Sequence, residues 1–203
     1  LRALNAVLEK VEKEKSHTIY VVSDEPYVKI VYDGVKVPAI SAIFSNSIVV
    51  NSFSKSLALP GERIGYVAIN PAIEGASILA DAMIFCNRTL GFVNAPGLFQ
   101  KVVAEHLDDV AGLEAYKERR DALYEILIDT GYECEKPQGA FYLFPKAPIE
   151  DDVAFCKKVL EHRLVLVSGT GFGYPGYFRL AYCVSMDTIK NSKESFAALR
   201  KEF

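Results

Sequence analysis

The stretch SFSKSLALPGERIGY, residues 52–66, decides how the rest of the chain is read. It follows a short apolar run at residues 48–50 and leads into a second at 65–69. One lysine, Lys55, sits in it, with Ser52 three residues before and Arg63 eight residues after. A lysine amine attacks carbonyls when partial withdrawal from water lowers its pKa. A hydroxyl and a guanidinium on either side suit a phosphate, because arginine presents a planar fork of donors to phosphate oxygens. An amine with a phosphate clamp is what pyridoxal phosphate requires, with its aldehyde at one end and its phosphate at the other. The window alone suits a solvated lysine and arginine on a surface loop equally well, since most such side chains are exposed.

Outward from this window, residues 18–22 (TIYVV) form a continuous apolar run of strand length. Such a run predicts a strand buried on both faces of a parallel sheet, here ending at Ser23-Asp24. Residues 47–50 predict a second buried strand and 65–69 a third. In open α/β sheets, ligands sit beyond the carboxyl ends of the strands. The first two strands therefore bring Asp24 and the nearby Tyr27 to the same rim as Ser52 and Lys55. Taken alone, Asp24 reads first as a turn or capping residue, and Tyr27 as a half-buried tyrosine with a wet hydroxyl.

Helical spacing of Leu1, Leu4, Val7, Leu8 and Val11 predicts a helix over residues 1–16. Further helices are predicted near 71–85, 96–106, 113–130, 151–163 and 186–203. Strands are predicted at 132–135, 140–144, 164–168 and 178–183. The mixture after about residue 110 suggests a smaller α+β domain.

Composition narrows the field. Net charge is −3, from 23 basic and 26 acidic residues spread along the chain, so nothing favours nucleic acid or an anionic membrane. Cys86, Cys134, Cys156 and Cys183 form no C-x-x-C pair and read as reduced thiols of a cytosolic protein. The three histidines are scattered, so no metal site is expected. No apolar run is long enough to span a bilayer, and residues 1–15 are unlike a signal peptide. The chain starts inside a helical pattern without a methionine, which predicts the carboxyl-terminal part of something longer.

Four segments, SDEPYVKIVYDG (23–34), SFSKSLALPGERIGY (52–66), PQGAFYLFP (137–145) and GYFRLAYCVS (176–185), carry a family resemblance. In this order they resemble the class I and II aminotransferases, the aspartate aminotransferase-like group of fold-type I pyridoxal-phosphate enzymes. The resemblance implies an α/β fold. Residues 1–110 would be the back part of the large cofactor-binding domain, with its mostly parallel sheet. Residues 111–203 would be the small α+β domain at the carboxyl terminus. It implies transfer of an amino group between an α-amino acid and a 2-oxo acid, in a cytoplasmic homodimer. A carbon–sulfur β-lyase on the same scaffold is an alternative, as is a non-catalytic fragment. The family pattern extends upstream of residue 1, where further cofactor contacts belong.

The resemblance also assigns roles. Lys55 would bind the cofactor aldehyde and later move the substrate proton. Asp24 would face the pyridine nitrogen, and Tyr27 the phenolic oxygen. Ser52 and Arg63 would hold the phosphate, with Ser54 as an additional hydroxyl. Arg179 would grip the substrate carboxylate and couple binding to domain closure. Its setting between Phe178 and Leu180 agrees with that, because a buried charge needs a partner; plain strand alternation would instead turn it to solvent. Arg88 and Asn94 fall where some relatives reach a partner's active site. GTGFGYPG, residues 169–176, is similar to glycine-rich phosphate loops but lacks the following Lys-Ser/Thr. In the family, this stretch leads into the arginine strand.

Overall fold

The computed structural model describes residues 1–203, and in it the apolar spacing at the start of the chain becomes helix α1, Arg2–Lys15. Glu12 on α1 accepts hydrogen bonds from the Ile19 amide (2.7 Å) and the Asn46 side chain (3.1 Å). That bond takes the backbone of Ile19 out of any ladder. Strand β1 consequently starts later than the apolar run predicts and spans Val21–Asp24.

Strand β2, Ser47–Ser52, pairs with β1 in parallel, Val21 lying opposite Ser47 and Asp24 opposite Val50. Strand β3, Gly65–Ile69, joins the other side of β2 antiparallel. Only β2 has a neighbour on each side, and it is the most buried of the three. The expectation that β1 is covered on both faces fails at Val22, which is 62% exposed on an edge strand. Gly65 faces Ser52 across the β2–β3 ladder, and a Cβ there would sit 2.3 Å from the Asn51 carbonyl oxygen. The close approach of the two strands thus demands glycine.

A single helical turn, α2 (Phe53–Ser56), follows β2 without a break. Helix α3, Ala76–Thr89, starts later than its sequence pattern predicts. Asn70 explains the delay: its side chain accepts from the Ala72 amide (3.1 Å) and donates to the Ser41 and Phe44 carbonyls, fixing a turn first. Helix α4, Gly97–Glu105, begins directly after Pro96, where a missing amide hydrogen costs nothing.

The chain forms two compact units, Leu1–Lys29 with Val35–Ala111, and Ile30–Gly34 with Gly112–Phe203. In the second, helix α5 (Leu113–Asp129) and helix α7 (Met186–Arg200) pack on each other. Strands β4 (Tyr142–Leu143), β5 (Val167–Ser168) and β6 (Phe178–Ala181) form an antiparallel sheet in the order β4-β6-β5. Helix α6, Asp152–Lys158, is capped by the Asp151 carboxylate, which accepts from the Ala154 amide, and passes into a 3-10 turn, Val159–His162.

The predicted strand at 132–135 does not form. The Tyr132 amide closes α5 onto the Leu127 carbonyl (2.9 Å), and the ring stands edge-on to Phe178 and Phe196. Aromatic packing has displaced ladder pairing there. Leu127, Leu143, Phe155, Phe178 and Leu199 are fully buried in the same unit. Each such side chain contributes about 1.5–3 kcal/mol by leaving water.

Candidate functional site

Asp24 is the last residue of β1, and the amide of the next residue, Glu25, donates to the Val50 carbonyl of β2 (2.7 Å). The two parallel strands thus end side by side. Ser52 ends β2 and caps α2, its hydroxyl accepting from the Ser54 amide at 3.4 Å. Lys55 is the third residue of that turn.

Two anchors hold the turn. Phe53 is buried with Ile64 and Val103, and Leu57, Leu59, Ala95 and Phe99 pack against this cluster. The Ser56 carbonyl accepts from the Ala111 amide at 2.7 Å. So fixed, the half-buried Lys55 places its Nζ 5.8 Å from the centre of the Tyr27 ring. An amine at that range over an aromatic face is attracted by the ring's quadrupole.

Arg63 stands differently. It has a left-handed backbone (φ 51°) and is exposed, and its Nη1 donates to the Pro60 carbonyl of its own loop at 2.8 Å. The neighbouring Ile64 carbonyl accepts from the Phe53 amide (3.1 Å), so the backbone of Arg63 runs beside the start of α2. A cavity of about 380 Å³ abuts the same turn, lined by Asn51, Phe53, Ser56 and Tyr66 with Pro26 and Val28. Lys55, Asp24 and Arg63 are not in its lining. Arg88, in the last turn of α3, and Asn94 are both exposed.

In the second unit, described by itself, Arg179 is the second residue of β6, between the buried Phe178 and Leu180. It is half-buried rather than turned fully to solvent. Its guanidinium lies 4.5 Å from the Tyr142 ring centre and 4.3 Å from that of Phe172. Two rings at that range attract the cation through their quadrupoles. The sequence shows the arginine, but not these two rings, which come from a neighbouring strand and a loop.

The remaining nucleophiles and ligand types build no second site. Burial pushes the Cys134 and Cys156 thiols up to about 11, so both stay protonated near neutrality. No group of three or more His, Cys, Asp or Glu residues converges as a metal site would need. No helix is long and apolar enough to cross a membrane.

Comparison with known proteins gives one consistent result. The family described as aminotransferase class I and II matches residues 3–196. The aspartate aminotransferase of Bacillus subtilis is 33% identical over 192 residues, covering 88% of this chain and 48% of that protein. The aspartate aminotransferase of Thermotoga maritima is 31% identical over 178 residues, 86% of this chain and 46% of that protein. Among solved structures, an aminotransferase from Eubacterium rectale superposes with a TM-score of 0.96 at 44% identity, over 100% of this chain and 51% of that one. The chain spans about half the length of the curated relatives it matches.

Proposed function

The chain belongs to the class I and II aminotransferase family, and on that premise we propose that it carries the lysine-bearing part of a pyridoxal-phosphate-dependent aminotransferase. The reaction is exchange of an amino group between an α-amino acid and a 2-oxo acid. The observation that carries the reading is the approach of Lys55 Nζ to the Tyr27 ring, 5.8 Å, on turns fed by the adjacent ends of β1 and β2.

The donor set fits the cofactor in kind: an amine, a phenol, a carboxylate, two serine hydroxyls and a guanidinium. Lys55 would hold the cofactor through its amine. The same Nζ would carry the proton off the substrate α-carbon. Asp24 would keep a proton on the pyridine nitrogen, because a neighbouring negative charge favours the charged ring. Tyr27 would donate its hydroxyl hydrogen to the phenolic oxygen. Ser52 would donate to the phosphate, and Arg63 would exchange the Pro60 carbonyl for phosphate oxygens. When bound, pyridoxal phosphate supplies the electron sink for the charge left on the α-carbon. In the second unit, Arg179, with Tyr142 and Phe172 against its guanidinium, would take the substrate carboxylate.

Assembly as a cytoplasmic homodimer completes the proposal. Apolar side chains along and after α3 support an assembly surface, with Phe85, Leu90 and Phe92 about two-thirds or more exposed. Four free cysteines support a reducing compartment.

The test uses the full-length protein with added pyridoxal phosphate, an amino acid and 2-oxoglutarate. Formation of glutamate is the expected result. Release of ammonia and pyruvate without glutamate would assign a lyase instead, and no turnover of any amino acid would remove the enzymatic reading.

A further inference from the structure

The two rings on Arg179 are held by different means. Tyr142 stands on β4, locked opposite Ala181 of β6 by the strand ladder. Phe172 stands on a short 3-10 turn, Gly169–Phe172, at the head of loop 169–176. Its position over the guanidinium therefore depends on what fixes that loop.

One side chain does most of this. Asp152 opens α6 but does not cap it, since Asp151 accepts the capping hydrogen bond. The Asp152 residue is only 2% exposed and faces the loop. Its Oδ2 accepts from the Thr170 amide at 2.8 Å. Its Oδ1 accepts from the Thr170 hydroxyl at 2.7 Å and the Gly176 amide at 3.3 Å. Three donors, two at the head of the loop and one at its end, thus converge on one buried carboxylate with no cation beside it. Burial alone would raise its pKa, but the bonds from Thr170 and Gly176 outweigh that and hold it below the ordinary value.

The loop base is closed by backbone as well. The Gly169 amide donates to the Tyr177 carbonyl (2.7 Å) and the Tyr174 amide to the Gly169 carbonyl (3.0 Å). A Cβ on Gly169 would meet the Tyr174 oxygen at 2.2 Å, so this crossing admits only glycine. Residues 171–175 remain exposed at the tip. Phe172 is 48% exposed, and its ring meets Phe144 edge-on at 6.3 Å. The bonds to Thr170, two residues away, hold the turn that carries it.

We propose that Asp152 is a positioning residue for anion binding at Arg179: through Thr170 it keeps the Phe172 ring against the guanidinium, so that the fork is presented to a carboxylate in one orientation. With the Tyr142 and Phe172 ring centres 4.5 Å and 4.3 Å from its centre, the fork has little freedom to turn away from a carboxylate that meets it with both oxygens. Removing the Asp152 charge leaves the arginine in place and frees the ring above it. The consequence is weaker carboxylate binding with no change in the residues that touch the substrate. This inference rests on the reading of Arg179 as the carboxylate anchor.

The experiment uses the full-length, cofactor-loaded protein, with propionate as an unreactive monocarboxylate competing against the amino-acid substrate. Asp152→Asn is expected to raise the propionate inhibition constant about tenfold, the size of one charge-assisted hydrogen bond. KM should rise with it by more than kcat falls. Hydrogen exchange at Thr170 and Gly176 should accelerate in the same variant. Phe172→Leu should raise the inhibition constant comparably. Combining it with Asp152→Asn should add nothing further, because one acts through the other. Should Asp152→Asn fold poorly, Thr170→Val removes the hydroxyl donor alone and should give a smaller rise of the same kind. An unchanged inhibition constant in Asp152→Asn, alongside a raised one in Arg179→Ala, overturns the inference and leaves the anchor reading standing. Multiplying effects in the double variant also overturn it. An unchanged constant in Arg179→Ala removes the anchor reading, and the inference with it.

Discussion

Arg120 and Asp33, 87 residues apart in sequence, meet in a two-pronged ion pair, Nη1 to Oδ2 at 2.7 Å and Nη2 to Oδ1 at 3.3 Å. Arg120 is 1% exposed; it also bonds Asp121 and the Pro137 carbonyl and lies over the Tyr32 ring at 4.6 Å. This pair fastens residues 30–34 into the second unit.

The pair makes stability depend on acid. Hydrogen bonding from Arg120 holds the Asp33 carboxyl below its ordinary value of 3.8. A depressed folded-state pKa contributes stability above the unfolded value, and that contribution is lost as pH falls through the folded value. Unfolding free energy measured from neutral pH downwards should hold its Asp33 contribution until about pH 4 and lose it below. Asp33→Asn should lower stability at neutral pH and flatten that acid limb. An unaltered limb in the variant would show that the pair does not carry it.

Lys55→Ala should abolish the visible absorbance of lysine-bound cofactor and reduce turnover by about 10²–10⁴-fold or more, the range expected for a lost proton-transfer group. Retained absorbance in Lys55→Ala would move the chemistry to another amine.

Arg179→Ala should raise KM for every amino-acid substrate about 10–100-fold, as expected for loss of two charge-assisted hydrogen bonds, while the cofactor band persists. Arg179→Lys should recover only part of this, because an ammonium has no planar fork to meet both carboxylate oxygens. Equal KM values for Lys and Arg at this position would argue against two-pronged recognition.

Gly65→Ala forces a Cβ against the Asn51 carbonyl and should cost about 1–3 kcal/mol in urea unfolding. The strain falls beside Ser52, so cofactor affinity should drop in the same variant. A variant as stable as the parent would show that β2 and β3 can separate without loss.

Sequence and structure agree best where spacing is short. Asp24 and Lys55 could be placed at strand ends because each lies within a few residues of an apolar run whose length already limits it to a strand. The start of β1 was less legible, because the Ile19 amide is claimed by Glu12, a contact no periodicity reports. The failed strand after α5 has a similar cause: Tyr132 is as apolar as a strand residue, but three-dimensional packing with Phe178 and Phe196 gives it another use. The Arg179 setting was half legible. Its strand neighbours Phe178 and Leu180 are visible in the sequence, whereas nothing in the spacing shows that Tyr142, on another strand, and Phe172, on the preceding loop, close on its guanidinium. Arg120 is not legible in the sequence, since one more arginine on a charged helix carries no mark of burial.

The Phe53 anchor has a consequence for protein engineering. Phe53 and Lys55 share one rigid turn, so the depth to which the phenyl group seats against Val103 and Ile64 fixes the reach of the amine two residues on. Volume changes at Val103, such as Val103→Ala or Val103→Ile, offer a lever on the Lys55 amine from beneath, without touching Lys55 itself. Libraries aimed at retuning this lysine should begin in the apolar floor below it.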